Sequence, residues 1–257
     1  MPEFCSAERD GHLLTVTLRR PEVMNALHPP ASLELAHVFD DFARDPELWV
    51  AILTGEGERA FCAGNDLKYQ AAGGDMRGPQ TGFGGLTHRF DLWKPLICAV
   101  NGLALGGGFE IVLACDIAVA SAGASFGLPE VRVGLAALAG GLHRLPRAIP
   151  LKAALGLLLT GRRIDAAEAL RLGLVNEVVP AGELQPAARR WAAQILEAAP
   201  LSVRASKQAA LLGLAHASLE EALATPYPAL REMARSDDFV EGPRAFAEKR
   251  RPVWKGR

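Results

Sequence analysis

The order of the predicted elements indicates an α/β protein with a helical C-terminal region. Short apolar runs that predict strands alternate with helical patterns over about residues 1–180. From about residue 139 onward helical patterns dominate, apart from a strand-like run at 174–179. Alternating strands and helices are typical of sheets covered by helices, and consecutive helices are typical of an appended helical unit. No sequence repeat of fixed period accompanies this pattern.

The individual elements follow from hydrophobic spacing. Apolar alternation or short apolar runs predict four strands, at 12–18, 49–55, 95–102 and 116–123. Helical spacing of apolar residues predicts two helices, at 30–45 and 107–114. We expect the segment 125–134, around Pro129, to be extended. Residues 71–87 are rich in glycine, and we expect a mobile loop there.

Composition and charge narrow the class of protein. A chain of 257 residues suits one large domain, or a domain with a small appendage, and can bury about 70–75% of its unfolded surface. Hydrophobic residues make up 49% and charged residues 22%, which is typical of a globular protein. The formal net charge of −1 provides no global basic field for nucleic acid or for an anionic membrane surface. An anionic small molecule, which needs only a local basic patch, is compatible with this charge.

Cysteine spacing and the first residues indicate a reducing compartment. The cysteines show neither CxxC nor CxxH spacing, and they are Cys5, Cys62, Cys98 and Cys115. Scattered thiols fit a reduced compartment better than a disulfide framework or a zinc site, and the histidines show no metal-ligand spacing either. The polar start MPEFCSAERDG is unlike a signal peptide, and no apolar run reaches about 18 residues. We expect a cytoplasmic protein that uses no metal and no membrane.

Two common motifs are matched only in part. GASFG at 123–127 fits the G-x-S-x-G motif of serine hydrolases with Ser125 as nucleophile, but that motif requires a helix directly after the serine. Pro129 follows in an extended context, so we interpret the segment as a small-residue strand edge. ALGGGFE at 104–110 resembles a phosphate loop, but it lacks both the Lys-Ser or Lys-Thr pair of a P-loop and the G-x-G-x-x-G spacing of a dinucleotide fold.

Two segments, one of them the glycine-rich stretch just described, place small residues between an apolar run and a predicted helix. They are AFCAGNDLK at 60–68 and LALGGGFE at 103–110. Small residues let the backbone approach a ligand, and free N–H groups at a helix start favour developing negative charge. Two such donors on one oxygen would form an oxyanion hole, where losing one donor typically costs about 3–4 kcal/mol in the transition state. Tight packing alone would not explain the carboxylate that follows the glycines.

Two carboxylates stand near these segments in the sequence. Glu110 and Glu130 each lie among small or apolar residues, in FEIV and LPEV, where desolvation should raise the pKa of a carboxyl group. Two carboxyl groups with different pKa values can act as general base and general acid near neutral pH. From spacing alone, each glutamate could equally be an ordinary ion-paired residue.

Five segments together resemble the enoyl-CoA hydratase/isomerase (crotonase) family. They match in order and spacing from about residue 12 to the C-terminus, and they are AFCAGNDLK, AVNGLALGGGFEIVLACDIAVAS, SFGLPEVRVGL, LTGRRIDAAEALRLGLVNEVV and EGPRAFAEKRRPVWKGR. The resemblance implies a spiral of ββα units with a helical C-terminal trimerisation region. It places the spiral domain with the CoA and acyl site at 1–195 and the helical region at 196–257. The implied assembly is a homotrimer or a dimer of trimers.

The resemblance also implies catalytic roles. The backbone N–H groups of Asn65 and Gly107 would form the oxyanion hole for the thioester carbonyl of an acyl-CoA. Glu110 and Glu130 match the two glutamates that position water at Cβ in the hydratases. The counterpart of Glu110 usually acts as the base, and the counterpart of Glu130 supplies the Cα proton to a thioester enolate. No metal or redox cofactor is implied, because coenzyme A is part of the substrate.

Further residues are implied in substrate binding. In the family, the adenine region of CoA is lined by backbone around the counterparts of Ala63, Asp66 and Leu67. Residues near the counterparts of Val23, Met24 and Ala26 line the pantetheine and phosphate path. Phe246 and Lys249 match C-terminal residues that close over the nucleotide, sometimes from a neighbouring subunit. Gly106 would leave room for the ligand, and Pro129 and Leu138 would border it.

The chain departs from the family pattern at three places. Many hydratases carry Pro-Gly where this chain has Ala137-Leu138, so Leu138 could narrow the acyl pocket. Asn65 replaces a smaller residue, and 71–87 is unusually rich in glycine. The function implied is a 2-enoyl-CoA hydratase of fatty acid metabolism. The alternatives are a carnitinyl-CoA dehydratase, an enoyl-CoA isomerase, an RNA-binding member of the family, or a hydrolase based on Ser125.

Overall fold

The strands form two sheets. The computed structural model describes residues 3–257. In chain order, the strands are β1 (Cys5–Asp10), β2 (Leu13–Leu18), β3 (Val50–Gly55), β4 (Ala60–Cys62), β5 (Leu96–Val100), β6 (Leu103–Leu105), β7 (Ile117–Ser121), β8 (Ser125–Gly127), β9 (Arg163–Asp165) and β10 (Glu177–Val179). The first sheet has the order β1-β2-β3-β5-β7-β10, and the second has the order β4-β6-β8-β9. All four strands predicted in the first 123 residues are present, each within a few residues of its expected bounds.

The chain visits the two sheets alternately. β3, β5 and β7 are neighbouring parallel strands of the first sheet, and each is followed by a short strand of the second sheet, namely β4, β6 and β8. Those three short strands are also parallel to one another. Parallel strands end at the same edge of their sheet, so the residues that follow β4, β6 and β8 meet at one edge, which we call the carboxyl edge. This repeated pairing of one strand from each sheet confirms the predicted α/β class.

The C-terminal third is mostly helical, as predicted. In chain order, they are α1 (Pro29–Arg44), α2 (Leu67–Ala71), α3 (Gly107–Ala114), α4 (Gly141–Ala148), α5 (Leu151–Thr160), α6 (Ala166–Leu172), α7 (Leu184–Leu196), α8 (Pro200–Gly213), α9 (Leu219–Ala224), α10 (Pro228–Ala234) and α11 (Asp237–Ala247). α1 and α3 match the helices expected at 30–45 and 107–114. The domain boundary predicted at 195/196 falls in the last turn of α7 and stays a prediction.

One strand was not predicted, and two expectations differ from the structure. The polar segment Cys5–Asp10 is a strand that pairs antiparallel with β2. Its mostly exposed side chains gave no apolar pattern. The segment around Pro129 is a 3-10 turn, Pro129–Val133, and not extended chain, because a proline in the first turn has the backbone angle of a helix. Within 71–87, residues 83–87 are packed: Gly85 lies so close to α1 that a Cβ would be 2.5 Å from the Ala36 nitrogen.

The core lies on both faces of the first sheet. On one face, apolar side chains of β3, β5 and β7 pack against α7, through residues that include Ile52, Ile97 and Ala188. On the other face, a larger cluster joins the first sheet to α1, the second sheet and α3, with Phe39, Phe61 and Phe109 fully buried. Glu110 follows Phe109 on α3, so the helix that carries this carboxylate is anchored in the main core.

Two negative findings apply to residues 3–257. None of the helices in this range is long and apolar enough to cross a membrane. No group of three or more His, Cys, Asp and Glu side chains in the same range is placed to hold a metal ion.

Ser125 is the first residue of β8 and pairs with Leu103 and Asp165, so it does not sit on the strand-to-helix turn that a hydrolase nucleophile requires.

Candidate active site

Three loops meet at the carboxyl edge of the second sheet. They carry Gly64 and Asn65 after β4, Gly106 and Gly107 after β6, and Glu130 after β8. The Gly106 N–H donates a 2.9 Å hydrogen bond to the Gly127 carbonyl, which ties the second loop to the third. A Cβ on Gly64 would lie 3.2 Å from the Gly107 nitrogen, so the first loop touches the second. The sequence places these residues far apart, and the parallel strands bring them together.

Each of the three consecutive glycines has its own steric reason. A Cβ on Gly106, which has φ of 53°, would lie 3.0 Å from Oε1 of Glu130. A Cβ on Gly107 would lie 2.5 Å from the Phe83 ring, and one on Gly108 would overlap the Cys62 carbonyl. Gly106 therefore leaves space for a carboxylate, Gly107 for an aromatic cover, and Gly108 for close packing of α3 on β4. Close packing against the rest of the chain therefore applies at all three residues, and the approach of a ligand to Gly106 and Gly107 stays a prediction.

Two backbone N–H groups at this edge are free of partners within the described chain. The Leu27 N–H donates to the Gly64 carbonyl, and the Asp66 N–H donates to the Leu27 carbonyl. In this parallel pattern the N–H of the intervening residue, Asn65, points away from Leu27. Gly107 is the first residue of α3, where an N–H has no partner within the helix. Neither N–H donates a hydrogen bond to any atom of residues 3–257.

Glu110 is a buried carboxylate with a raised pKa. Its residue is 3% exposed, and its Oε1 accepts a 2.8 Å hydrogen bond from the Gly141 N–H at the start of α4. Burial, aided by the charge of Glu130, raises the pKa of Glu110 to about 7, although hydrogen bonds from Gly141 and Ala139 and the charge of Arg144 oppose the rise. A carboxyl group with this pKa exchanges a proton near neutral pH.

Glu130 is the second carboxylate, and it approaches from the 3-10 turn. It is half-buried, and burial raises the pKa of its carboxyl group. Its Oε2 is buried and has no hydrogen-bond partner among residues 3–257. An unsatisfied buried polar atom is costly in a folded protein, and it often marks a place that a ligand completes. Burial thus raises the pKa of both carboxyl groups, as expected, and their catalytic roles stay a prediction.

The segments predicted to bind CoA also come together. The Ala63 N–H donates a 3.0 Å hydrogen bond to the Met24 carbonyl, which joins the loop after β4 to the turn before α1. Val23 and Met24 are half-buried, and Ala26 is buried beside them. Met24 has φ of 56°, so this turn adopts a left-handed conformation that is uncommon for a non-glycine residue. Backbone of both segments is thus brought to one surface.

Arg20 holds these two segments together, and the sequence analysis did not identify it. Its guanidinium donates to the Ala26 carbonyl and forms a 2.9 Å ion pair with Asp66, where the two side chains are 14% and 9% exposed. Asp66 also caps α2 by accepting from the N–H groups of Lys68 and Tyr69. Asp66 is consequently occupied by internal contacts, while Leu67, the next residue, is exposed. An Arg next to a proline after a strand carries no signal for this bracing role.

The similarity to known proteins is consistent with this geometry. A model of the enoyl-CoA hydratase/isomerase family matches residues 8–257, which is nearly the whole chain. The chain belongs to the enoyl-CoA hydratase/isomerase family. The crotonase fold and the recognition of this family from the sequence are therefore confirmed, and a hydratase or dehydratase activity on an acyl-CoA thioester follows from the family and its members.

Individual crotonase relatives differ in their named substrates. The chain is 46% identical to a carnitinyl-CoA dehydratase of Citrobacter koseri, over 100% of both chains. It is 40% identical to the crystal structure of enoyl-CoA hydratase from Mycobacterium tuberculosis, which covers 99% of each chain with a TM-score of 0.93. It is also 43% identical to the crystal structure of carnitinyl-CoA hydratase from Mycobacterium avium, over 100% of both chains with a TM-score of 0.80.

A small cavity adjoins the candidate site of this crotonase. It has a volume of about 210 Å³ and is lined by Asn65, Phe83, His28, Ser32 and residues of the 76–82 segment. His28 caps α1: its Nδ1 accepts a 3.1 Å hydrogen bond from the Ala31 N–H, so the ring proton is on Nε2. A larger cavity, of about 1040 Å³, lies at the other end of α3, between α4 and α8, and contains neither glutamate. We take the smaller cavity, beside Asn65, to belong to the site.

Of the remaining predicted residues, Leu138, Phe246 and Lys249 are exposed in the single chain, and Pro129 is half-buried. Leu138 is 75% exposed, and its neighbour Ala137 is buried beneath it. Pro129 starts the 3-10 turn that carries Glu130. Phe246 is 88% exposed at the end of α11, and Lys249 follows it with φ of 54°. No hydrogen bond within residues 3–257 joins Phe246 or Lys249 to the loops at the carboxyl edge, so their role in nucleotide binding stays a prediction.

Proposed function

We propose that the chain catalyses the reversible hydration of a 2-enoyl-CoA thioester to a 3-hydroxyacyl-CoA. The observation that carries this proposal is the pairing of Glu110, whose pKa is about 7, with Glu130 around Gly106. One group with a pKa near neutrality and a second, half-buried carboxyl group supply both the base and the acid that the addition of water to a double bond requires. Neither group is held in a salt bridge within residues 3–257, which supports a chemical role.

In the hydration direction, the backbone N–H groups of Asn65 and Gly107 bind the thioester oxygen. Ionised Glu110 accepts a proton from water while the water oxygen forms a bond to Cβ. The electron pair of the double bond moves toward the thioester carbonyl and gives an enolate, whose oxygen charge the two N–H groups stabilise. Protonated Glu130 then donates its proton to Cα. Dehydration is the same sequence in reverse, with Glu110 protonating the hydroxyl group that leaves.

The binding of the CoA moiety is proposed at the joined turns before α1 and after β4. Backbone near Val23, Met24, Ala26, Ala63 and Leu67 would line its path, and Arg20 would keep these turns in register. We propose that Phe246 and Lys249 act on the nucleotide of a neighbouring subunit in a homotrimer or a dimer of trimers. Both residues are exposed and make no hydrogen bond to those loops of their own chain within residues 3–257, which supports this arrangement. The four free thiols support a cytoplasmic location.

Conversion of crotonyl-CoA in water tests the proposal. The conjugated absorbance should fall as water adds, and the product should gain the mass of one water. Glu110→Gln and Glu130→Gln should each lower turnover by about 100-fold or more, whereas Ser125→Ala should leave it unchanged. Full turnover in either glutamine variant would refute the two-carboxylate mechanism.

Carnitinyl-CoA dehydration is the second candidate, and the 46% identity to a carnitinyl-CoA dehydratase favours it. The chemistry uses the same glutamates in reverse, so only the acyl group distinguishes the two. A panel of short, long, aromatic and carnitinyl thioesters should be compared by kcat/KM and by product mass. Conversion of a 3-enoyl thioester without a change of mass would instead indicate isomerisation. Salt-dependent binding of RNA, together with no binding of any acyl-CoA, would indicate a binding protein.

A further inference from the structure

Arg144 is a half-buried cation next to the loop that holds Glu110. It lies in the first turn of α4, and its N–H donates a 2.8 Å hydrogen bond to the Gly140 carbonyl. Its guanidinium folds back over Gly140, where a Cβ would overlap Nη1. The next residue, Gly141, donates to Oε1 of Glu110. Arg144 therefore covers the short backbone segment that binds the carboxylate of Glu110.

The guanidinium of Arg144 has no ion-pair partner within 4 Å and makes no hydrogen bond among residues 3–257. Its aromatic neighbour is Phe90, whose ring centroid lies 5.8 Å from Cζ. Arg20 and Arg89, which have little exposure, each have a carboxylate partner at less than 3 Å, whereas Arg204 on α8 resembles Arg144 in having guanidinium nitrogens without a partner among residues 3–257. A cation that is partly desolvated and unpaired interacts with charges further away, because the surrounding protein screens them less than water does.

The charges that face Glu110 come from two elements. Glu130, on the 3-10 turn, disfavours ionisation of Glu110, and Arg144, on α4, favours it. The influence is reciprocal: burial lowers the pKa of Arg144, while Glu110 and Cys115 raise it. The causes of the pKa shift of Glu130 are burial and its own backbone N–H, with no cation among them. Arg144 thus acts on one glutamate of the pair.

We propose that Arg144 is a positioning residue that favours the ionised form of Glu110 and so supports its use as the base. This role rests on the proposed hydration for its catalytic meaning. The geometry behind it is the guanidinium seated on Gly140, directly beside the N–H that binds Glu110, without a competing carboxylate. Gly140 is glycine for the same reason, since its φ of 109° and the position of the guanidinium both exclude a side chain.

The pH profile of hydration tests the proposal. In Arg144→Gln, the acidic limb of kcat/KM for crotonyl-CoA should move to higher pH, and Arg144→Lys should restore it. Arg144→Met, which keeps an apolar contact with Phe90, is the second neutral variant if the glutamine variant folds poorly. Arg147→Gln is the matched control, because Arg147 lies one turn along α4 and is not among the charges that act on Glu110. An unmoved limb in both neutral variants, or an equal shift in the control, would overturn the proposal.

A second readout does not depend on activity. The folded state favours protonated Glu110, so its stabilising contribution is complete below the ordinary pKa and is lost as pH rises to about 7. Removing Arg144 raises that pKa further, so urea unfolding of Arg144→Gln should show additional loss above pH 7. The same substitution in Glu110→Gln should show none. If this extra loss of stability depends on Glu110 but no hydration is detected, the proposed function is refuted and the role of Arg144 is retained. If hydration is detected but the extra loss is absent, only the role of Arg144 is refuted.

Discussion

The N–H of Gly141 donates a 2.8 Å hydrogen bond to Oε1 of Glu110, so the start of α4 holds the carboxylate that α3 presents. A Cβ on Gly141 would lie 3.1 Å from that oxygen and 2.9 Å from the Cβ of Ala137. The contact therefore requires glycine at this position. It also means that two helices separated in sequence by 26 residues (114 to 141) must pack correctly before the pKa of Glu110 reaches its folded value.

The pH dependence of hydration should follow the ionisation of Glu110. Its pKa is raised to about 7, and hydration requires the ionised form, so kcat/KM should increase with pH through the range 6 to 8. Below pH 6 the loss should be about tenfold per pH unit, since each unit lowers the ionised fraction tenfold. Initial rates with crotonyl-CoA in buffers of constant ionic strength measure this limb. A rate that does not change between pH 5 and pH 8 would contradict the assignment of Glu110 as the base.

Replacing Gly106 by alanine should damage the site more than the fold. The new Cβ would lie 3.0 Å from Oε1 of Glu130 and would occupy a left-handed conformation, so the carboxylate must move. Since a misplacement of about 1 Å can cost 100-fold in rate, kcat should fall by about that factor.

Gly156→Ala is the matched control for this substitution. Gly156 lies within α5, and no atom would be within 4 Å of the new Cβ. The change should stabilise the protein by about 0.5–1 kcal/mol in urea unfolding, because alanine forms helix better than glycine, and kcat should be unaffected. An equal loss of kcat in the two variants would remove the steric argument.

The side chain of Asn65 should matter little for turnover. Its amide nitrogen donates a 2.8 Å hydrogen bond to Oε1 of Gln70 on the exposed side, while the proposed oxyanion donor is the backbone N–H. Asn65→Ala should therefore keep kcat within about threefold, and Gln70→Ala, which removes the same side-chain contact, should behave alike. A loss of about 100-fold in the first variant alone would show that the Asn65 amide binds substrate.

Arg20 should affect substrate binding rather than chemistry. Its ion pair with Asp66 and its bond to the Ala26 carbonyl hold together the turns proposed to bind CoA. Arg20→Met should raise KM for crotonyl-CoA by about tenfold with little change in kcat, since loosened turns weaken ground state and transition state equally.

The control for Arg20 is its neighbour in the sequence. Arg19 forms a longer, exposed pair with Glu56 at 3.5 Å, so Arg19→Met should change neither constant. Equal KM values for the two variants would show that the ion pair of Arg20 does not brace the CoA turns.

The sequence predicted those parts of the site that depend on local pattern. Gly107 and Glu110 follow an apolar strand and open an apolar helix, and the structure has both in α3. The β1 strand was missed because CSAERD offers no apolar alternation, and it is held instead by pairing with β2. The turn that carries Glu130 was predicted as extended, because a proline alone is compatible with both conformations.

The residues that support the site were invisible for a different reason. Three side chains support the site through specific contacts: Arg20, His28 and Arg144. His28 accepts a hydrogen bond from Ala31, 3 residues away, and Arg20 pairs with Asp66, 46 residues away. Nothing in the local sequence of an arginine distinguishes a brace from a solvated charge. Only the folded chain shows that Arg20 meets Asp66 and that Arg144 covers Gly140.

The three strands that end at the carboxyl edge have three residues each, at 60–62, 103–105 and 125–127. Strands this short have few ladder hydrogen bonds, so none of them would persist without its neighbours. Hydrogen exchange at the edge should accordingly report one cooperative opening, in which the loops of Asn65, Gly107 and Glu130 are released together. Catalytic competence in this fold is then a property of a local unfolding equilibrium, and a mutation that frays any one strand will deplete the active population without altering a single catalytic side chain.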